Sequence, residues 1–502
     1  MIFKSISQIS NKIEKNFFLE QIKVFIRLVE VFCEKNSCSV GEADADMLLD
    51  EFIKIGVISY SDELAVLEKN IGNLYTPFVN AVGFAATHKE KVGTLLSGLY
   101  NSERKIKQEE DKTNTRHSLV DFFCGAGGLS LGFLQEGFRV KLANDIEDVC
   151  IQTYKYNHPE LPSSKLIQGD IKQIIDNIGD YLEEDIDIVV GGPPCQGFSE
   201  ANRQRVIDDP RNKLYKYFIK AVETIAPKMV VMENVRGMYK VSGQVLEDFA
   251  MIRAQKNGKV YSYQAARKML NSQYFSVAQS RERLIYVAIR DDVISNKGIS
   301  PERIFDEIDD YCEGRKQFTL QDALNDIKPL DAPRVKNTNE IDSESTGKKI
   351  DVNYYDNNCN DYLTLINQGR KIPFVFNHKA RYVSDINYDI YRLLEPGDDA
   401  TDPKIADIMP YAHRNHCFKD KYYKLRADRP CRTITAHLRM DCHSHIHPYQ
   451  IRAITPREAA RVQSFPDDYL FWGAYLKTYM QIGNAVPPVM ARGIAYVLKK
   501  YL

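Results

Sequence analysis

The sequence has little that would anchor the chain in a membrane or cross-link it. Its ten cysteines are scattered singly, and no two form a CxxC pair. A disulfide scaffold or a zinc ribbon is therefore not expected, and reduced thiols are the default. No apolar run approaches the roughly twenty residues that span a bilayer, and the N-terminus lacks the apolar core and cleavage site of a secretory signal. We expect a cytoplasmic protein with no membrane partner.

The sequence also lacks an excess of charge of either sign. Its 502 residues include 67 Lys and Arg and 68 Asp and Glu, for a net charge of -1. This balance excludes a coat of basic charge that binds nucleic acid non-specifically, but it leaves room for a local basic cleft. A chain of this length buries a large core and is expected to hold two or three domains.

Residues 1–101 have the pattern of a helical extension. In FLEQIKVFIRLVEVFCEK the apolar residues recur at helical spacing, and a second helix is expected to end at Gly56, before a short β-prone run. This order is compatible with a winged-helix-like element, and a small helical packing or interaction domain is the other interpretation. Residues 102–116 are rich in charge and poor in apolar side chains, which is typical of a linker.

From residue 118 the pattern changes to short β-prone runs that alternate with helical stretches. The predicted strands are SLVDFFC, FRVKLAN, SKLIQGD, DIDIVVGG, PKMVVMEN, YFSVAQ and RLIYVAIR. Runs that are apolar on both faces and separated by helices predict a mainly parallel sheet buried on both sides. The last two runs are expected to form a hairpin.

Reactive side chains follow the predicted strands at their C-terminal ends, where an open α/β sheet places its ligand crevice. In chain order these residues are Gly125, Gly127, Gly128, Asp145, Asp170, Cys195 and Glu233. The expected hairpin turn adds Gln279, Arg281 and Arg283. This concentration predicts an active site at that edge of the sheet.

The glycine-rich turn DFFCGAGGLSLGF departs from a dinucleotide-binding fingerprint. Its glycines fall at 125, 127, 128 and 132, with serine at 130, and this spacing disfavours a pyrophosphate ligand and an NAD-dependent oxidoreductase. Asp145 suits the hydroxyls of a ribose, and Asp170 could accept from an exocyclic amine such as that of adenine. Together they indicate an adenosyl ligand without pyrophosphate, S-adenosylmethionine, although each piece alone is compatible with a tight packing turn.

The stretch GGPPCQGFS presents one thiol, Cys195, on a stiffened loop. Pro193 and Pro194 fix φ and remove two N–H groups, and the residues that follow are polar and basic. A free thiol has a pKa of roughly 8.5, which nearby cations lower, so this cysteine is a candidate nucleophile. An inert, buried cysteine is the alternative. Beside a methyl donor, a thiolate that adds to C6 of cytosine makes C5 nucleophilic.

Addition of a thiolate builds negative charge on the pyrimidine ring and requires a proton donor at N3. Glu233 in VVMENVRG, at the end of the neighbouring strand, is the candidate donor, and Arg281 is the candidate cation near O2. Taken singly, Glu233 could instead stabilise a helix N-terminus, and the QSRER run could be a solvated hairpin tip.

These motifs resemble those of the bacterial cytosine-C5 DNA methyltransferases. DFFCGAGGLSLGF, GGPPCQGFS, ENV, QSRER, ITPREAARVQSFP and QIGNAVPP occur in that family's order. The resemblance covers about residues 117–502, more weakly between about 300 and 425. It implies a class I S-adenosylmethionine-dependent methyltransferase, a Rossmann-like α/β fold with a mostly parallel seven-stranded sheet. It also implies a catalytic domain at 117–295, a target-recognition domain at 296–454 and a C-terminal segment at 455–502 that completes the catalytic domain.

The resemblance further implies roles for individual residues. Cys195 is the nucleophile and Glu233 the N3 donor, while Gln279, Arg281 and Arg283 support the base and the catalytic loop. The implied cofactor contacts are Phe123, Gly125, Gly127, Gly128, Asp145, Ile146, Asp170, Ile171, Pro194, Leu214, Asn484 and Val486. In the loop 196–213, which would close over the DNA, the candidate phosphate contacts are Ser199, Arg203, Arg205 and Arg211.

The expected function is methyl transfer from S-adenosylmethionine to C5 of a cytosine in a specific duplex DNA site, which leaves S-adenosylhomocysteine. Because C6 is out of reach inside a stacked duplex, the base must flip out. No metal is expected, since the histidines of HLRMDCHSHIHP fit no standard zinc spacing. A tRNA substrate and a catalytically idle DNA-binding regulator are the alternatives.

The expected setting is restriction–modification or a related antiphage defence. We expect a nucleoid-associated monomer, with a defence partner that the N-terminal extension could recruit.

Overall fold

The fold is built on one seven-stranded sheet, in a computed structural model that describes residues 3, 5–88, 117–158, 160–182, 185–194, 214–338, 341–353, 359–372, 374–410 and 421–502. The strands are β1 (Ser118–Phe122), β2 (Arg139–Asp145), β3 (Leu166–Gln168), β4 (Ile188–Gly191), β5 (Met229–Asn234), β8 (Tyr263–Asn271) and β9 (Glu282–Arg290). Their order is β3-β2-β1-β4-β5-β9-β8. The first five strands pair in parallel and β9 runs antiparallel to both neighbours, which confirms the predicted fold class.

Two small antiparallel strand pairs lie outside this sheet. One joins β6 (Ala254–Lys256) to β7 (Lys259–Tyr261), and the other joins β10 (Gly347–Val352) to β11 (Phe374–Lys379). The second pair lies within the expected recognition region.

The strand predicted at YFSVAQ is wrong. The hairpin partner of β9 is β8, which ends before that run, and Asn271 pairs with Glu282. Residues Ser272–Phe275 form a 3₁₀ turn instead, because the Asn271 side chain caps it and Ser276 adopts φ 66°. Gln279 and Arg281 therefore lie in the connection between the strands, and Arg283 lies in β9.

Helices cover both faces of the sheet. They are α5 (Gly128–Gln135), α6 (Asp148–Asn157), α7 (Ile171–Asp176), α8 (Ile178–Tyr181), α9 (Leu214–Ile225), α10 (Ser242–Ala250), α11 (Asp291–Lys297), α12 (Pro301–Cys312), α16 (Pro456–Val462), α17 (Tyr475–Asn484) and α18 (Pro488–Lys499). The last helix, α18, packs closely on α5 at the start of the domain. An added Cβ at Gly132 of α5 would lie only 2.5 Å from Ala491 Cβ of α18. The C-terminal segment thus packs on the catalytic sheet.

Residues 296–454 do not all lie in one separate lobe. Helix α12 packs against β8, β9 and α18, and α13 (Leu320–Ala323) and α14 (Asp361–Ile366) belong to the same apolar core as the sheet. A second, smaller core gathers side chains from 383–446, including those of α15 (Asp385–Leu393).

The N-terminal extension is helical where it is described. Its helices are α1 (Lys12–Asn36), α2 (Leu49–Ile55), α3 (Leu64–Ile71) and α4 (Tyr75–Thr87). Asn11 caps the first helix, and Gly56, at φ 80°, ends the second as predicted. Residues 5–88 contain no strand, so the wing of a winged-helix element is not present in this described range.

The extension shares an apolar core with the rest of the chain. Side chains of α1 to α4 form one buried cluster with Ile350, Phe374 and Phe376 of the β10–β11 pair and with Trp472. The Phe17 and Trp472 rings lie 5.2 Å apart, and Arg27 Nε donates to the Ile350 carbonyl at 3.2 Å. Within the described ranges, no helix is long and apolar enough to cross a membrane.

Candidate active site

The glycine-rich turn after β1 has the backbone that its glycines predict. Gly125 and Gly127 adopt φ of 53° and 84°, in the left-handed region that favours glycine. An added Cβ at Gly128 would lie 2.4 Å from the Val486 carbonyl oxygen. The QIGNAVPP segment therefore reaches this turn despite its distance along the chain.

Asp145 at the end of β2 lies against the same turn. Its two carboxylate oxygens accept hydrogen bonds of 2.8 Å, Oδ2 from Gly125 N and Oδ1 from Glu147 N. Burial raises the pKa of this carboxyl. Each oxygen keeps a second lone pair, so the predicted ribose contact is compatible with these bonds. Ile146 is 66% exposed beside it, which suits an apolar contact with an adenine ring.

Asp170 and Ile171, after β3, have different surroundings. Asp170 is exposed and caps α7, with Oδ1 accepting from Lys172 N at 2.9 Å. Ile171 is buried in an apolar core with Ile174 and Ile175. The Ile171 side chain thus packs in the core below the strand end, and its predicted contact with the cofactor stays a prediction.

The remaining predicted cofactor residues differ in exposure. Pro194 and Asn484 are exposed, Phe123 and Leu214 are half-buried, and Val486 is buried. Phe123 also adopts φ 56°. This set of residues fits an adenosyl group. The glycines allow the ligand to approach the backbone closely, the carboxylates can accept from hydroxyls and amines, and the exposed isoleucine offers an apolar contact.

Glu233, the last residue but one of β5, is held in a buried ion pair. Arg283 Nε lies 2.7 Å from Glu233 Oε1, and the strand register places Glu233 opposite Ile285 of β9. An added Cβ at Gly192 would lie 3.0 Å from Glu233 Oε2. The carboxyl therefore lies beside the start of the GGPP loop, as the strand-end argument predicted. The pKa of Arg283 is lowered by burial, and the neighbouring Glu233 carboxyl offsets part of that shift.

Arg281 and Gln279 are buried and hydrogen-bonded to neighbouring segments of the chain, rather than free beside Glu233. Arg281 donates to the carbonyl oxygens of Ile434 at 2.7 Å and Gly483 at 2.9 Å. Gln279 donates to Gln463 at 2.8 Å and accepts from Ile434 N at 2.7 Å. The expected position of Arg281 near O2 is therefore corrected: its guanidinium joins three chain segments, and Arg283 is the cation that contacts Glu233.

Asn234 was missed by the sequence reasoning. Its amide donates to the Pro193 carbonyl at 3.0 Å, which ties the end of β5 to the loop that carries Cys195. Its place within ENV was the available signal. Cys195, Ser199, Arg203, Arg205 and Arg211 lie outside the described residues.

His443 and His447 have hydrogen-bond partners outside the cluster of histidines between 437 and 447. His443 Nδ1 lies 2.7 Å from Tyr391 OH, and His447 Nδ1 accepts from Gln450 N at 3.1 Å. Burial lowers the pKa of His443 to about 4 and that of His445 to about 3. In the described part of the chain, no group of three or more His, Cys, Asp or Glu could hold a metal ion.

The sheet order, the glycine-rich turn against Val486 and the carboxylate beside the GGPP loop define a class I, S-adenosylmethionine-dependent methyltransferase. The chain belongs, more narrowly, to the C-5 cytosine-specific DNA methylases, whose family model matches residues 117–500. The family identified from the sequence and the enzyme class, DNA (cytosine-5-)-methyltransferase, are confirmed.

Relatives of known type support this assignment. The chain is 31% identical over 433 residues to the type II methyltransferase M.AgeI of Thalassovita gelatinovora, with 76% of this chain and 98% of that protein covered. It is 28% identical to the type II methyltransferase M.Sau96I of Staphylococcus aureus, over 88% of this chain and 90% of the relative. A crystal structure from E. coli, assigned as a DNA modification methyltransferase encoded within a prophage, superimposes with a TM-score of 0.56 at 26% identity and covers 76% of this chain and 99% of that one.

Proposed function

We propose that the protein methylates C5 of a flipped-out cytosine in a specific duplex DNA site, by covalent addition of Cys195 to C6. The observation that carries this proposal is the Glu233–Arg283 pair beside Gly192, at the strand end that leads into PPC. A carboxyl and a cation held together at this place are the groups that a pyrimidine under nucleophilic attack needs.

The bound methyl donor would lie between the glycine-rich turn, Asp145, Ile146 and the Val486 segment. S-adenosylmethionine supplies an electrophilic methyl group when it is bound there. The protein's part is to hold the adenosyl group through Asp145, Ile146 and the glycine-rich turn.

The reaction on the base uses three side chains. The Cys195 thiolate adds to C6 while Glu233, in its protonated form, gives a proton to N3, and the resulting enamine takes the methyl group at C5 with release of S-adenosylhomocysteine. A base then removes the C5 proton, the C6–S bond breaks to release the thiolate, and N3 returns its proton to the Glu233 carboxylate. Arg283 holds the Glu233 carboxyl and places positive charge near O2, the role that the sequence suggested for Arg281. This scheme requires no metal ion.

The setting that we propose is the modification arm of a restriction–modification system or a related antiphage defence. M.AgeI and M.Sau96I are named type II methyltransferases, and the matches cover 98% and 90% of those two proteins. A defence partner bound through the N-terminal extension is a separate proposal. The structure favours this proposal less, because apolar side chains of the extension are already buried against β10 and β11.

Bisulfite sequencing of DNA from cells that express the protein tests the proposal. We expect methylated cytosines within one short consensus, and none in cells that express Cys195→Ala. Methylation of tRNA with unmethylated genomic DNA would identify the RNA alternative, and no methylation of either would favour the idle regulator.

A further inference from the structure

A buried polar network lies directly beneath the glycine-rich turn. The Tyr469 hydroxyl donates to the Ala126 carbonyl, and His158 Nε2 lies 3.0 Å from the same hydroxyl. His158 is 1% exposed and Tyr469 is 3% exposed. Neither residue takes part in the chemistry proposed above, yet Tyr469 is bonded directly to the glycine-rich turn and His158 is bonded to Tyr469.

The turn presses closely on this network. An added Cβ at Gly127 would lie 2.5 Å from His158 Nε2 and 2.8 Å from Tyr469 OH. The two side chains therefore fill the space below Gly127 and limit how far the Ala126–Gly127 peptide can move toward the protein core.

A second branch joins the network to β1. The Tyr154 ring packs against His158 with centroids 4.1 Å apart and ring planes tilted by 33°, and its hydroxyl donates to Ser130 Oγ at 2.7 Å. Ser130 in turn donates to the Asp121 carboxyl, whose pKa burial raises to about 7. The network thus connects β1, α5, the end of α6 and the FPDDY segment after α16.

The turn has a reason to need such an anchor, because its residue Phe123 has an unfavourable backbone conformation. Phe123, Gly125 and Gly127 all adopt positive φ, between 53° and 84°. A non-glycine residue in this region is unfavourable on its own and persists only when its surroundings hold it.

A phenylalanine at position 469 would pack nearly as well as tyrosine. The contribution of the Tyr469 hydroxyl is therefore its hydrogen bond to the turn.

We propose that Tyr469 and His158 are positioning residues that hold the Ala126–Gly127 peptide in its cofactor-binding conformation. They set the affinity for the methyl donor and have little effect on the rate of methyl transfer once it is bound. This inference rests on the proposed function, because it takes the crevice above the turn as the adenosyl site.

The test is the affinity of the full-length protein for S-adenosylhomocysteine, measured by isothermal titration calorimetry. Tyr469→Phe is expected to raise Kd about fivefold, the effect of one buried hydrogen bond. In steady-state assays, KM for S-adenosylmethionine should rise by a similar factor, while kcat and KM for DNA stay within about twofold. His158→Phe keeps a ring packed against Tyr154 but removes Nε2, and it should also raise Kd.

Tyr263→Phe is the matched control. Tyr263 is also a buried tyrosine that donates to a backbone carbonyl, that of Pro227 at 2.5 Å. It lies on β8, near the N-terminal end of β5, whereas the glycine-rich turn follows the C-terminal end of β1. Both variants should lose some stability, and only Tyr469→Phe should lose cofactor affinity. Equal Kd values for the two variants would overturn the inference. So would a Tyr469→Phe enzyme that loses kcat with unchanged cofactor affinity. A wild-type protein that binds no S-adenosylhomocysteine would instead overturn the proposed function.

Discussion

Arg281 and Arg283 are two residues apart and serve different purposes. Arg283 faces Glu233, whereas Arg281 is 1% exposed and bonded to two backbone carbonyls. We expect Arg283→Ala to lower kcat about 100-fold in conditions where the variant is folded, because a cation beside the reacting base is lost.

Arg281→Ala is the matched comparison at this scale. It should keep most of its kcat but lose about 3 kcal/mol of the free energy of unfolding, because two buried carbonyl groups lose their donor. Single-turnover methylation and urea unfolding of both variants measure these quantities. A larger loss of kcat for Arg281→Ala than for Arg283→Ala would return Arg281 to the role first predicted for it.

The different roles of these arginines could not be predicted from the sequence. The partners of Arg281 lie 153 and 202 residues further along the chain, and no local pattern reports such contacts. Glu233 and the glycine-rich turn could be predicted, because both lie at the ends of strands whose apolar runs are readable. Ile171 was assigned to the cofactor by its place in the motif, whereas its burial is decided by the packing of α7.

Among the secondary-structure elements, apolar runs correctly predicted the strands that are buried on both faces of the sheet. The runs in β1, β4, β5 and β9 are buried almost throughout. The prediction failed at β8, which lies at the edge of the sheet, is buried at only three of its nine residues and contains three basic or amide side chains in YQAARK. YFSVAQ has the stronger β propensity, but the capping bond from Asn271 turns the chain before it.

Close packing between α17 and the 3₁₀ turn Ala436–Arg439 gives a prediction at this scale. A Cβ at Gly483 would lie 2.2 Å from the Thr435 carbonyl carbon and 2.3 Å from Ala436 N. Gly483→Ala should therefore lower the free energy of unfolding by about 2 kcal/mol, because backbone must move to admit the methyl group.

Gly243→Ala in α10 is the control, since a Cβ there meets no atom within 4 Å. Its stability should be unchanged or slightly higher, as alanine favours a helix over glycine. Equal effects of the two substitutions on urea unfolding would contradict the proposed tight contact between α17 and the 3₁₀ turn.

For the whole molecule, the N-terminal extension behaves as part of one folded unit. Its removal would expose the apolar side chains that it covers, which are Ile350, Phe374, Phe376, Leu470 and Trp472. We expect a fragment that begins at residue 117 to be insoluble, because an exposed apolar patch of this kind promotes aggregation. Expression and ultracentrifugation of the fragment beside the full chain measure this.

A soluble, active fragment with altered DNA affinity would contradict that expectation and would favour a binding role for the extension. The helical character of the extension was predictable from its periodicity. Its docking on β10 and β11 was not, because those strands are more than 300 residues away along the chain and no pattern in α1 indicates its partner.

The central claim is that the Cys195 sulfur attacks a cytosine held outside the duplex next to a methyl donor. Intact-protein mass spectrometry can test it after incubation with S-adenosylmethionine and an oligonucleotide duplex that carries 5-fluorocytosine at the target. Because fluorine at C5 cannot leave as a proton does, we expect a denaturant-resistant adduct with the wild-type protein and none with Cys195→Ser. Absence of the adduct at a site that the enzyme methylates, or equal adduct with serine at 195, would contradict the account.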